Sequence, residues 1–168
     1  MMLFPLDIRQ SAQRIVTSFT LRKLTIATAE SCTGGLIAGA LTDISGSSAV
    51  IDRGFVTYSN QAKTDMLGVH PLTLQEFGAV SRQTALQMVS GAMIRSGATL
   101  AVAVTGIAGP GGGSDDKPVG LVHLAARHRN GAFLHHEMRY GDIGRLEVRL
   151  ATVRTAMEML EALAQTAA

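Results

Sequence analysis

The run Leu24-Thr25-Ile26-Ala27 leads directly into Thr28-Ala29-Glu30-Ser31-Cys32-Thr33-Gly34-Gly35, which opens the helical pattern Gly35-Leu36-Ile37-Ala38-Gly39-Ala40-Leu41. A buried strand that turns through small polar residues into a helix is the building unit of an α/β protein. The first amides of such a helix have no intrahelical partner, and its dipole there favours an anion or a developing oxyanion. Glycines at 34 and 35 let a ligand or another backbone come close. Two readings stay open from this segment alone. Either Ser31 or Thr33 simply caps the helix, or the free amides receive an anion or a developing oxyanion.

A second apolar run, Leu100-Ala101-Val102-Ala103-Val104, has the pattern of a strand buried on both faces. It gives way to the longest irregular stretch, Thr105-Gly106-Ile107-Ala108-Gly109-Pro110 through Lys117-Pro118. In open α/β sheets, ligands collect at the carboxyl ends of strands where the connections diverge. If strands 24–28 and 100–104 are neighbours, Ser31, Thr33, Thr105 and Gly106 face one crevice.

The remaining elements follow from periodicity and breaker residues. A helix is predicted over Asp7–Lys23, then the strand over 24–28 and a helix over 34–42. A turn cluster follows at Asp43–Ser48, then a strand over Ile51–Tyr58 and a short helix over Asn60–Leu67, capped by Ser59 or Asn60. After Gly68 and Pro71 the pattern breaks, and Ser81 caps a long helix through Ile94. Strands at 119–127 and 132–140 join through Arg129-Asn130-Gly131, a hairpin signal, and a last helix covers Ile143–Leu163. The order predicts a mixed, largely parallel sheet with helices on both faces and an antiparallel C-terminal hairpin. At 168 residues, with no linker, the chain is read as one domain, 1–168.

Composition narrows the partners. A net charge of +2, with lysines and arginines scattered, gives no basic patch for nucleic acid. Aromatics at 4%, with no tryptophan, speak against stacking on single strands. One cysteine, Cys32, excludes an internal disulfide framework and fits a reducing compartment. Met1-Met2-Leu3-Phe4-Pro5-Leu6 lacks a basic leader, and no apolar run reaches membrane-spanning length. A cytoplasmic protein with no nucleic-acid or membrane partner is expected.

For chemistry, hydroxyls abound but none has a histidine beside it. His70, His123, His128, His135 and His136 fall in no nucleophile motif, and no His-x-x-x-His or Cys-x-x-Cys spacing suggests a metal. Neither a metal nor a cofactor is expected. Lys63 lies in the first turn of its helix, where the dipole disfavours a cation and burial pushes the amine toward neutrality. A neutral lysine can serve as general base to a serine. Tyr58, at the end of the preceding strand, could relay a proton. The alternative for both is an exposed lysine beside a tyrosine packed at a sheet edge. Ser48 offers a hydroxyl just before the same strand, although Ser45–Ser48 also reads as a plain turn. Cys32 is a rival nucleophile without a nameable base.

Taken together, Thr28–Gly35, Val56-Thr57-Tyr58-Ser59-Asn60 with Lys63, Gly78-Ala79-Val80-Ser81, Val104–Pro110 and Lys117-Pro118-Val119-Gly120 resemble the CinA C-terminal domain family over about residues 8–165. The resemblance implies a three-layer α/β/α sandwich. For function it implies nicotinamide mononucleotide deamidase activity, which hydrolyses the carboxamide to nicotinate mononucleotide and ammonia in pyridine nucleotide recycling. The chain resembles the stand-alone form, and a homo-oligomer is expected. Set on that reaction, Ser48 is expected as nucleophile, Lys63 as base and Tyr58 as proton-transfer assistant. Ser31 and the amides near Thr33-Gly34 are expected to hold the oxyanion or position the carboxamide. Glu30, Gly35, Asn60, Thr105, Gly106, Gly109 and Arg145 are expected to line the substrate site. The family usually carries Gly-Asp-Arg followed by two residues, a β-branched residue and Arg; here Ile143-Gly144 separates Asp142 from Arg145, while Arg145, Val148 and Arg149 keep the later spacing. The competing class is a nucleotide-binding or competence accessory module that uses the same crevice without turnover.

Overall fold

The structure is a computed structural model and describes residues 2–166. Five strands form one sheet: β1 (Ile26–Glu30), β2 (Ile51–Val56), β3 (Leu100–Gly106), β4 (Leu121–His128) and β5 (Phe133–Arg139). Their order is β2-β1-β3-β4-β5. The first three run parallel, β4 reverses against β3, and β4–β5 is the antiparallel hairpin. Six helices surround the sheet: α1 (Leu6–Arg22), α2 (Leu36–Thr42), α3 (Asn60–Leu67), α4 (Pro71–Phe77), α5 (Arg82–Ser96) and α6 (Arg145–Gln165). None is long and apolar enough among the described residues to cross a membrane.

The two faces of the sheet carry different side chains, and this sets the layers. One face presents Ile26, Leu100, Val102, Val104, Val122 and Leu124, which pack against α1, α2 and α6. The other is almost entirely alanine (Ala27, Ala29, Ala101, Ala103 and Ala125) and meets Ala85, Met88, Val89 and Ala92 of α5. A face of methyl groups lets a helix settle close to the strands. Gly91 extends this economy to the α3–α5 contact, where a Cβ would lie 1.9 Å from the Leu67 carbonyl oxygen.

Most predicted elements are present, with shifted ends. The first strand begins at Ile26 instead of Leu24 and runs to Glu30, because Leu24 still returns its amide to Phe19 of α1. The broken region after Gly68 contains α4, which the sequence reading did not expect. Its N-cap is the His70 imidazole, which accepts from the Leu72 amide at 3.2 Å, and none of its residues is fully buried.

The condition set on strands 24–28 and 100–104 is met: β1 and β3 are parallel neighbours, and Ser31 donates its amide to Val104 at 3.1 Å. From β1 the chain leaves toward β2, and from β3 it leaves toward β4 on the other side. The connections diverge between these two carboxyl ends, and a crevice opens there.

Candidate active site

The base of the crevice is a serine–lysine pair. Ser31 directly follows β1 and is held by its amide to β3. Lys63 enters from α3, whose N-terminus is capped by Ser59 accepting from the Ala62 amide at 3.0 Å. Its Nζ lies 2.9 Å from Ser31 Oγ and 2.9 Å from the Thr57 carbonyl oxygen, with the side chain only 1% exposed. No carboxylate pairs with it among the described residues. Burial pushes its pKa below the ordinary lysine value. A neutral amine has two N–H groups and one lone pair. In that form donation to Thr57 leaves the lone pair for the Ser31 hydroxyl proton, whereas the ammonium donates to both oxygens.

A cavity of about 230 Å³ rises above the pair, lined by Ser31, Tyr58, Asn60, Lys63, Thr105 and Arg145, with Cys32, Ala79, Val80, Gly106 and Ala108 between them. Arg145 forms the outer wall: Nη1 donates to the Gly109 carbonyl at 2.7 Å and Nη2 to the Tyr58 hydroxyl at 2.8 Å. The Thr105 hydroxyl donates to the Ala79 carbonyl at 2.7 Å and so fixes Gly78–Ser81 as the roof. Larger hollows exist, including one of about 570 Å³ along α1, but its lining of Gln13, Arg14, Thr17, Ser18, Leu21 and Arg22 contains no nucleophile–base pair.

Several expected site residues stand elsewhere. Ser48 is exposed in a one-turn 3-10 helix, Ser47–Ala49, that precedes β2, whereas Lys63 follows β2. Six strand residues at about 3.3 Å each put roughly 20 Å between the two ends of that strand. Ser48 is therefore at the wrong end of β2 to meet Lys63, and the hydroxyl beside Lys63 is that of Ser31.

Glu30 does not face the cavity. It is fully buried, and its carboxylate accepts from Thr33 Oγ1 at 2.6 Å and from the amides of Gly35, Ile37 and Ala38 at 3.1, 3.0 and 2.9 Å. The anion at the start of α2 is thus the chain's own, and neither Ser31 nor Thr33 is the cap. The Gly34 amide donates to the Ser31 carbonyl at 3.0 Å, so the Gly34 and Gly35 amides are both engaged and not open to an oxyanion. Gly109 contributes its carbonyl to Arg145 from behind the cavity wall. Tyr58, Asn60, Thr105, Gly106 and Arg145 do line the cavity.

Cys32 borders the cavity, yet burial pushes its thiol up to about 12 and it stays protonated. Among the described residues, no group of three or more His, Cys, Asp or Glu side chains converges on a metal position. Arg149 keeps the family's spacing after Arg145 but was assigned no role from the sequence. It donates to the Thr33 carbonyl at 2.9 Å, and its spacing of four from Arg145 on one helix was the available signal.

The model of the CinA C-terminal domain matches residues 8–164. The chain belongs to the CinA C-terminal domain family. It is 48% identical over 135 residues to a protein of Enterobacter agglomerans named nicotinamide-nucleotide amidohydrolase PncC, covering 79% of this chain and 82% of that one. It is 50% identical over 148 residues to a CinA-like protein of Syntrophus aciditrophicus, covering 88% of this chain but 35% of the relative. The chain thus spans about a third of the length of that curated relative. The crystal structure of the competence/damage inducible protein CihA from Agrobacterium tumefaciens superposes with a TM-score of 0.96 at 74% identity, covering 97% of this chain and 99% of that one.

Proposed function

We propose that this member of the CinA family is an amidohydrolase that releases ammonia from the carboxamide of nicotinamide mononucleotide. The observation that carries the reading is the buried Lys63–Ser31 pair at 2.9 Å, beneath a cavity that ends at Arg145. Support for the substrate comes from the relative named nicotinamide-nucleotide amidohydrolase.

In this reading neutral Lys63 takes the Ser31 proton while Oγ attacks the carboxamide carbon. Lys63 then returns that proton to the leaving nitrogen, and ammonia departs from an acyl-enzyme. Water, deprotonated by the same amine, attacks the ester carbon, and nicotinate mononucleotide leaves with Ser31 regenerated. The Cys32 and Thr33 amides, to which no backbone carbonyl is paired among the described residues, are the donors left for the oxyanion.

A cavity of 230 Å³ is smaller than the roughly 300–1,000 Å³ that encloses a drug-sized ligand. It suits the planar pyridine carboxamide, with ribose and phosphate lying outward over Tyr58 and toward the Arg145 guanidinium. Tyr58, whose hydroxyl accepts from Arg145, orients this outer part and keeps its own O–H to donate.

The test compares ammonia release from nicotinamide mononucleotide, free nicotinamide and glutamine. Turnover of the mononucleotide well above the other two supports the reading. Tight mononucleotide binding with no ammonia would instead assign the chain to the non-catalytic class.

A further inference from the structure

Arg149 is the fifth residue of α6 and reaches the turn that carries Ser31. Its Nη2 donates to the Thr33 carbonyl at 2.9 Å, and that carbonyl also accepts from the Leu36 amide at 3.3 Å. The nitrogen of the same peptide unit, Gly34 N–H, donates to the Ser31 carbonyl at 3.0 Å. A peptide unit is planar and moves as one piece. Fixing its oxygen therefore fixes the direction of its N–H, and with it the carbonyl of Ser31. Thr33 is held from the other side by its hydroxyl, which donates to Glu30 at 2.6 Å.

The fold gains little from an arginine at this place. Among the described residues it makes no ion pair, and its Nε is buried without a hydrogen-bond partner. An orphaned buried donor is unfavourable, and a cation near the start of a helix opposes the dipole. One hydrogen bond to one carbonyl is its whole return. Arg145, one turn earlier on the same face, clips the other site loop at Gly109. The start of α6 thus holds the turn after β1 and the loop after β3 together.

We infer that Arg149 is a positioning residue for the Ser31 hydroxyl, acting through the Thr33–Gly34 peptide unit. This rests on the proposed serine–lysine amidohydrolase reading. Acyl transfer is steeply sensitive to aim, and a displacement of about 1 Å costs on the order of a hundredfold in rate. Loss of the guanidinium frees the peptide unit to rotate about the glycine, without touching Lys63 or the outer cavity.

The experiment measures ammonia release from nicotinamide mononucleotide against pH for the wild type, Arg149→Met and Arg149→Lys, with circular dichroism and Tm as checks on folding. Arg149→Met is expected to lose tenfold or more in kcat, with KM changed less than about threefold and the pH midpoint in place. Arg149→Lys, which retains a donor, recovers part of kcat. A rise in KM at unchanged kcat would make Arg149 a substrate contact and overturn the inference. So would a shifted pH midpoint, which means that its charge acts on Lys63. If Arg149→Met does not fold, Arg149→Gln is read by the same criteria.

A fluorophosphonate that labels reactive serines, followed by intact mass, separates this inference from the functional reading. If the wild type releases no ammonia, the substrate assignment falls, and the labelling rate of Ser31 decides the role of Arg149. Labelling slowed tenfold or more in Arg149→Met supports it. Labelling at the wild-type rate, or none in the wild type, refutes it.

Discussion

Lys63 Nζ stands 2.9 Å from Ser31 Oγ, although 31 residues of chain lie between them and include all of α2 and β2. Parallel pairing of β1 with β2 brings the two together. It aligns Glu30 with Val56, so the segments after both strands emerge at the same sheet edge. Everything that follows Val56 by one short turn is thereby delivered to the residue that follows Glu30.

A lysine buried there has opposite consequences for activity and for stability. Its folded pKa lies below the ordinary value of 10.5, so the folded state holds fewer protons than the unfolded chain between the two. Stability therefore rises with pH across that window, from the lowered folded midpoint up to the ordinary one. Lys63→Met is expected to abolish turnover yet raise Tm at neutral pH, by roughly 2–4 °C for each kcal/mol relieved. The gain should shrink as the pH approaches 10.5. In the wild type, kcat/KM should climb with pH to a plateau whose midpoint is below that same value. Thermal melts of both proteins across pH check the first expectation, and a pH–rate profile checks the second. A Lys63→Met protein less stable than wild type at pH 7 would count against a buried neutral amine.

Glu30 makes a second contrast, a carboxylate placed for folding and not for catalysis. Its two oxygens accept four hydrogen bonds inside the protein. Glu30→Gln keeps the shape but turns an amide NH₂ toward N–H donors. Leaving buried donors unpaired costs about 2–4 kcal/mol in total, a fall in Tm of roughly 5–15 °C. Calorimetry measures this, and an unchanged Tm would refute the capping role.

Gly91 tests the close seating of α5. A Cβ there would lie 1.9 Å from Leu67 O and 2.7 Å from its carbonyl carbon, and backbone atoms cannot swing aside. Gly91→Ala is expected to destabilise by about 1–3 kcal/mol despite the better helix propensity of alanine. Gly111→Ala, where a Cβ meets open space, is the control and should melt with the wild type.

These residues also show what a sequence can and cannot disclose. The strand–turn–helix unit and the hairpin at Asn130-Gly131 follow local rules and are present with shifted ends, while the α3 boundaries are those expected. Helix α4 escaped because its cap is an imidazole and it buries no residue fully, so no apolar stripe marks it. Lys63 was singled out by its place in the first turn of α3, and the structure buries it there. Ser48 was mistaken for its partner because proximity in sequence hid a strand's length between them. Glu30 was read as a ligand contact because spacing alone does not reveal that a carboxylate folds back on its own helix. The β1–β3 pairing, which puts Ser31 in the crevice, could be posed from the two apolar runs only as a condition, because register is long-range, and the assembled sheet meets it.

The most direct measurement is ammonia release from nicotinamide mononucleotide by Ser31→Ala and Ser48→Ala, assayed beside the wild type. Ser31→Ala should lose at least a hundredfold in kcat while keeping the wild-type Tm within a few degrees. Ser48→Ala, exposed at the far end of β2, should turn over at the wild-type rate. An active Ser31→Ala protein, or an inactive but folded Ser48→Ala protein, would contradict the assignment of Ser31 and Lys63 as the catalytic pair.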